Sequence, residues 1–339
     1  MSERINKRWR LAAYPEGMVD ESAFQYMEAP VLPPQEGQVL VKVIWLSLDP
    51  YMRGRMSPMK SYVEPMKVGQ TITGQSVAEV IESRHPGFQK GDLALAFTGW
   101  QSYAVMAGDE LEKIALRPAK ASYALGVLGM PGLTAYFGLL EVGKIKEGET
   151  VLVSGAAGAV GSAAGQIARI KGCKAIGVAG SDEKTEWLTK GLGFDAAVNY
   201  KAHADLREAL SGLCPNGIDV YFDNVGGAVS DAAIGLINQK ARIVVCGQIA
   251  HYNAKNPPRG PRILASLLIN RARAEGFIVY DFQSRFKAAL VELQRWMSEG
   301  RLKTKETVVE GIENAPKAFL GLFEGANTGK LLVKVGDIE

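Results

Sequence analysis

Cysteine is scarce in this chain. Three occur among 339 residues, Cys173, Cys214 and Cys246, with none before Cys173. So few, so scattered, exclude a disulfide framework and a four-cysteine zinc loop. Histidine is as rare, with three in all. The first, His85, stands beside Pro86-Gly87 in a predicted turn and is most simply a surface residue there. A zinc site needs several such ligands converging, and Asp and Glu show no clustered pattern, so no metal is expected. No run approaches the roughly 20 apolar residues that cross a bilayer. Arg4, Lys7, Arg8 and Arg10 are not followed by a long apolar stretch, so no signal peptide is expected. Neither sign of charge dominates: 39 Lys and Arg against 36 Asp and Glu give a net +3. There is no basic block of the kind that tracks nucleic acid. Internal repeats and low-complexity tracts are absent as well. A cytoplasmic enzyme is expected, without nucleic-acid or membrane partners.

What is present is an ordinary globular composition, 47% hydrophobic and 22% charged, on a chain long enough for two domains. Its most informative segment is Val151-Leu152-Val153-Ser154 followed by Gly155-Ala156-Ala157-Gly158-Ala159-Val160-Gly161. An apolar strand enters a glycine-rich turn and a helix follows at once. Gly lets the backbone turn sharply and admits phosphate close to main-chain N–H groups. The start of the helix then favours negative charge. The spacing is G-x-x-G-x-x-G rather than the dinucleotide fingerprint G-x-G-x-x-G, and a plain strand–helix turn would also need small residues.

The context favours a dinucleotide. Helix-compatible residues run from Ala159 to Lys171, Gly172 stops them, and a strand follows at Ala175–Ala179. Further helices are predicted at Asp182–Lys190 and Ala204–Leu213. Further strands are predicted at Ala196–Asn199, Ile218–Phe222, Arg242–Cys246 and Gly276–Val279. This alternation predicts an α/β fold with a parallel, doubly wound sheet. The earlier residues differ in texture. Short β-like runs at Gln38–Leu46, Thr73–Ile81, Asp92–Phe97 and Gln101–Ala107 are separated by Pro- and Gly-rich turns. The tail Lys330–Val335 is again strand-like and could return to complete that first region. Residues 1–122, completed by 307–339, are expected to form a β-rich catalytic domain, and residues 123–306 the nucleotide-binding domain. A cleft between them would be the natural place for chemistry.

One strand end bears on which dinucleotide is bound. An NAD site commonly has Asp or Glu after its second strand, bonded to the ribose hydroxyls. Here Gly180-Ser181 follow that strand and leave room for a 2′-phosphate. Lys184, on the first turn of the next helix, could meet it as a point charge. The alternative is an ordinary solvated lysine. Asp182 argues the other way unless it is simply a helix-start residue.

Several segments in this order resemble the medium-chain dehydrogenase/reductase superfamily. They are Leu48-Asp49-Pro50-Tyr51-Met52-Arg53-Gly54, Gly129-Met130-Pro131-Gly132-Leu133-Thr134-Ala135-Tyr136, Ala156-Ala157-Gly158-Ala159-Val160-Gly161, Phe222-Asp223-Asn224-Val225-Gly226-Gly227, Cys246-Gly247-Gln248-Ile249 and Asn327-Thr328-Gly329-Lys330. The resemblance covers essentially the whole chain. It is narrowest to the zinc-free prostaglandin reductase and alkenal/one double-bond reductase branch, which includes bacterial curcumin reductase. It implies a GroES-like catalytic domain with a Rossmann domain.

The resemblance also implies NADPH as cofactor. Its contacts would be Ala157, Gly158, Ala159, Val160 and Gly161, Lys184 and Tyr200 near the adenosine phosphate, Asn224, and Cys246, Gly247, Gln248 and Ile249. Phe277, Ile278 and Val279 would lie near the nicotinamide, with Asn327 reaching in from the tail. Read from the residues alone, Asn224 could be a turn residue and Cys246 a small core hydrophobe.

The implied reaction is reduction of the carbon–carbon double bond of an enone or enal. Hydride goes to the β-carbon and electron density to the carbonyl oxygen, which needs a preorganised donor. The candidates are tyrosine, which keeps its proton at neutral pH, and the cofactor ribose hydroxyl. Tyr252 and Tyr51 are the candidate catalytic residues. Tyr62, Met130 and Pro131 are candidate substrate contacts. Each tyrosine could instead anchor a loop. The stretch from His251 through Pro257 to Pro261 is expected to be a mobile lid or a plain surface loop. Relatives on this fold also reduce quinones, or bind NADPH without turnover, and both remain alternatives. A homodimer is expected, built on the predicted edge strand at Gly276–Val279.

Overall fold

The computed structural model describes residues 4–59, 61–115, 118–256 and 258–338. The strands are β1 (Ile5–Leu11), β2 (Phe24–Pro30), β3 (Gln38–Ser47), β4 (Ser76–Ser83), β5 (Leu93–Ala96), β6 (Tyr103–Ala107) and β7 (Glu112–Lys113). Next come β8 (Thr150–Val153), β9 (Lys174–Ala179), β10 (Ala196–Asn199), β11 (Ile218–Asp223), β12 (Ile237–Val245) and β13 (Arg273–Gly276). The tail carries β14 (Glu306–Glu310) and β15 (Lys330–Lys334). Two compact units result, one of Met1–Leu125, Glu306–Asn327 and Leu331–Glu339, the other of Gly126–Lys305 and Thr328–Lys330.

The first unit is mainly antiparallel β structure. Its large sheet runs β14-β15-β3-β4-β5-β7, and β6 also pairs with β3. In β4 the first six residues are buried, because both faces of the strand are covered. The core gathers Leu11, Met52, Met56, Trp100 and Phe319, all fully buried. Phe24 stacks on Trp100 at 5.7 Å between ring centroids, and Phe319 meets the same indole edge-on at 5.4 Å. The β1–β2 ribbon was not predicted. Asn6, Lys7, Arg8 and Arg10 hide it in the sequence, yet seven residue pairs join it in antiparallel register.

The second unit is a parallel sheet of order β10-β9-β8-β11-β12-β13. Every described pairing in it is parallel. Because the order reverses direction outward from β8 and β11, the crevice beyond their carboxyl ends is the switch point of the sheet. The short β8 and β9 are buried almost throughout, as parallel strands covered on both faces must be. The helix after β8, Ala159–Ile170, buries eight of its twelve residues. Ala163, Ala164 and Ala168 among them are small, which allows close packing on neighbouring elements.

Three expectations are corrected. The edge strand is Arg273–Gly276, not Gly276–Val279: Val279 begins a 3-10 turn. All four residues of β13 are exposed, so its sequence carries no apolar signal, whereas Phe277-Ile278-Val279 mimics one. The strand predicted at Arg242–Cys246 starts earlier, at Ile237, and is masked by polar Asn238-Gln239-Lys240, with Lys240 at positive φ. The predicted helix Asp182–Lys190 is α-helical only to Glu186 and widens to a π-turn over Trp187–Gly191.

Candidate active site

The candidate residues of the second unit lie just past strand ends, at the start of a helix, or in a turn. In a parallel sheet these strand ends share one edge. Ser154 to Gly161 follow β8, and Gly180 to Lys184 follow β9. Tyr200 follows β10, Asn224 follows β11, Cys246 to Tyr252 follow β12, and Phe277 to Val279 follow β13.

After β8, Gly155 adopts φ +57°, a conformation that favours glycine. Gly158 then caps the Ala159–Ile170 helix without a side-chain hydrogen bond, and no acid stands in the first turn. Its leading N–H groups therefore face outward unclaimed by side chains, with the positive end of the helix behind them. The helix sits against the turn so closely that a Cβ on Gly161 would lie 2.3 Å from the Gly155 carbonyl oxygen. The tail holds this turn from beside it, with Gly329 N–H donating to the Ala157 carbonyl at 2.7 Å.

After β9, Ser181 caps the short helix Asp182–Glu186 by accepting from the Lys184 amide. The Asp182 carboxylate accepts from the Asn199 side chain at 2.9 Å, which engages it as part of the helix start. Lys184 is half-buried, and its pKa is lowered, first by burial and then by the positive charge of Lys201. A Cβ on Gly180 would meet the Tyr200 ring at 3.3 Å and the Lys201 stem at 3.5 Å. Lys201 also lies over the Tyr200 ring, 5.9 Å from its centroid. Tyr200 and the Lys201 stem thus close on Gly180, and the Lys201 charge acts on Lys184. Sequence reasoning missed Lys201. Its signal was present, since it follows a named candidate directly.

At the switch point, Ser154 and Asn224 join β8 to β11. Asn224 donates from its amide to the Ser154 hydroxyl at 2.9 Å and from its side chain to the Ser154 carbonyl at 2.8 Å. Beneath them Asp223, 3% exposed, accepts six hydrogen bonds. Oδ1 takes them from Ser154 Oγ, Tyr221 OH and the amides of Val225 and Gly226, at 2.8–3.0 Å. Oδ2 takes them from Ser230 Oγ at 2.7 Å and Gln248 Nε2 at 2.9 Å. Every donor is neutral. Burial and this carboxylate hold the Tyr221 phenol well above its ordinary pKa.

After β12, Cys246 is half-exposed as a residue, but burial and Asp223 push its thiol up to about 12. That opposes a thiolate role. Tyr252 ends the turn. Its hydroxyl accepts from the Gln248 amide at 3.2 Å. Its pKa is raised, first by burial, while the Gln248 bond acts in the opposite direction. With an acceptor position occupied and the proton retained, this phenol remains a donor. In the stretch from His251 to Pro261, Pro257 lies outside the described residues. His251 itself is held, its Nε2 accepting from the Gly227 amide at 3.2 Å.

Met130 and Pro131 open the Met130–Phe137 helix of this unit, Met130 half-buried and Pro131 buried. Tyr51, Tyr62 and Asn327 belong to the first unit. Tyr51 opens a short helix, Tyr51–Arg55, and packs on the Trp100 core. That helix is anchored by Arg53, whose guanidinium donates to the Pro15 and Gly17 carbonyls at 3.1 and 2.9 Å. Tyr62 is 60% exposed. Among the described residues, no three His, Cys, Asp or Glu groups cluster to hold a metal ion, and no helix is long and apolar enough to cross a membrane.

Residues 7–114 match the family profile described as the N-terminal domain of oxidoreductase, and residues 159–295 that of zinc-binding dehydrogenase. The NADPH-dependent curcumin reductase of Escherichia coli is 45% identical over 335 residues, covering 97% of each chain. The 2-alkenal reductase (NADP(+)-dependent) of Nicotiana tabacum is 43% identical over 341 residues, covering 99% of each. The chain belongs to the medium-chain dehydrogenase/reductase superfamily, in its prostaglandin reductase and alkenal reductase branch. The crystal structure of CurA in complex with NADPH from Vibrio vulnificus superposes with a TM-score of 0.94 at 44% identity, over 98% of this chain and 99% of that one. The protein is an oxidoreductase of this branch.

Proposed function

We propose that the protein uses NADPH to reduce the carbon–carbon double bond of α,β-unsaturated ketones and aldehydes. The observation that carries this reading is the Tyr252 hydroxyl, kept protonated and oriented at the carboxyl edge beside a turn suited to a dinucleotide. Full-length similarity to a curcumin reductase and a 2-alkenal reductase supports the substrate class.

The residues fit the cofactor. The Gly155–Gly161 turn and the helix after it suit a pyrophosphate, through unclaimed N–H groups at a helix start that the absence of a Cβ on Gly161 lets pack tightly against the turn. Lys184 and Lys201, with Tyr200, suit a 2′-phosphate: converging positive charges are relieved by a dianion. Asn224, the Cys246–Ile249 turn and Phe277 to Val279, with Asn327, are the proposed contacts for the remainder. Bound NADPH would supply the hydride for the β-carbon, and a proton reaching the α-carbon from solvent completes the saturated product. Tyr252 donates a hydrogen bond to the carbonyl oxygen of the substrate, where negative charge develops. Tyr51, Tyr62, Met130 and Pro131 are proposed to line the substrate site. The first unit is proposed as the catalytic domain and the second as the nucleotide-binding domain.

The test is turnover of a simple enone by Tyr252→Phe at saturating NADPH. Loss of one such donor lowers kcat about 100- to 1,000-fold, and unchanged turnover would remove Tyr252 from this role.

A homodimer is part of the same proposal. β13 ends its sheet with all four residues exposed, and the helix beside it, Leu264–Asn270, exposes Leu264, Leu268 and Ile269 at 75, 78 and 71%. An open edge next to an apolar patch suits a second copy related by a two-fold axis. Leu268→Lys should give a monomer in analytical ultracentrifugation where the parent chain is a dimer; a monomeric parent would exclude the dimer.

A further inference from the structure

We propose that Asp223 is a positioning residue for the reduction, acting through Gln248 on the hydroxyl of Tyr252. The proposal rests on the donor role proposed for Tyr252. Two turns are involved, one after β11 and one after β12, and main-chain bonds lace them together. Cys246 and Gly247 amides donate to the Asp223 carbonyl at 2.9 and 3.0 Å, and the Ala250 amide donates to the Val225 carbonyl at 3.0 Å. The Asp223 side chain completes the lacing. Through Oδ1 it fixes the β11 turn by taking the Val225 and Gly226 amides, and through Oδ2 it takes the Gln248 side chain.

Gln248 is the link. Its Nε2 is shared between the Asp223 carboxylate and the Gly247 carbonyl, each at 2.9 Å. Its main-chain N–H donates to Tyr252 OH. The orientation of one residue, Gln248, is thus set by Asp223 at its side chain and read by Tyr252 at its backbone. A carboxylate suits this position because all six partners, as arranged, donate to it. An amide nitrogen in place of Oδ2 could still donate to the Ser230 hydroxyl, but it would face the donor Gln248 Nε2 and so break the link to Gln248 as it is now oriented. Ser154 ties the same carboxylate to the glycine-rich turn, since its hydroxyl donates to Asp223 and accepts from Asn224.

The experiment is a pair of double-mutant cycles. The single variants are Asp223→Asn, Gln248→Leu and Tyr252→Phe, and kcat is read at saturating NADPH. Asp223→Asn and Gln248→Leu should each lower kcat about tenfold alone, yet cause no further loss in the Tyr252→Phe background, as expected of residues acting as one unit. A purely structural role predicts that the losses multiply, and that result overturns the proposal. A second readout needs no cofactor: the Cζ resonance of Tyr252 in ligand-free protein, assigned by its disappearance in Tyr252→Phe. Both other variants should shift it; an unmoved resonance refutes the link. If Asp223→Asn does not fold, Gln248→Leu decides both readouts. If the resonance shifts while Tyr252→Phe retains full kcat, the donor role of Tyr252 fails, and the catalytic part of the proposal with it.

Discussion

The two halves of the sheet's carboxyl edge are built from different chemistry. Around β8, β9 and β10 it presents main-chain amides at a helix start and two ammonium groups, Lys184 and Lys201. Around β11 and β12 it presents side chains tied to one buried carboxylate, six neutral donors on Asp223. The first half holds positive potential that an anion would satisfy. The second is already satisfied internally, and what it provides is a fixed direction for Tyr252. The difference teaches that one edge can separate recognition from positioning: affinity can be spent on one side and geometry kept on the other.

Substitutions can break this division. On the β11–β12 side the largest effect is that expected of Tyr252→Phe; on the other side it is expected for Lys184→Met, which should lower kcat/KM for NADPH about 10- to 100-fold, the scale of a lost charge-assisted hydrogen bond. NADH use should be unaffected. Lys201→Met should act in the same sense but more weakly, about threefold, because Lys201 is exposed and its charge is screened by solvent. Steady-state kinetics with both cofactors checks each, and equal losses with NADH would show that neither lysine meets the 2′-phosphate.

pH should separate the halves as well. Lys184 must be protonated to attract phosphate, and its pKa in the free protein is lowered. Above that lowered value, binding NADPH requires proton uptake. KM for NADPH should therefore rise with pH before the ordinary lysine range near ~10.4, and Lys184→Met should flatten the rise. Tyr252 has a raised pKa, so its ionisation should leave kcat unaffected up to the ordinary tyrosine value of about 10. The smallest effect is expected for Glu186→Gln. It removes an exposed i,i+4 ion pair to Lys190 one turn further along the same face and should leave the melting temperature unchanged.

The sequence carried the strand–turn–helix at Val151–Gly161 plainly, because strand, turn and helix are adjacent and each has its own residue types. The βα alternation likewise fixed the parallel sheet. Contacts between distant residues were not legible. Ser154 and Asp223 are 69 positions apart, and nothing local to either announces the other. Asp223 lay within a quoted motif, but its function as a six-donor hub depends on Tyr221, Ser230 and Gln248 converging from separate elements. Edge structure was equally hidden. β13 is exposed throughout, and β1 is crowded with charge, so neither shows the apolar periodicity that marks a buried strand. Lys201 was passed over for another reason: it follows Tyr200 directly, but a lysine on a short turn looks like any solvated lysine until its charge is seen to act on Lys184.

The central claim is double-bond reduction, and isotope transfer tests it most directly. With NADPH carrying deuterium at the transferable C4 position and a simple enone as substrate, the label is expected on the β-carbon of a saturated ketone. Label on the carbonyl carbon, in an allylic alcohol, would contradict it.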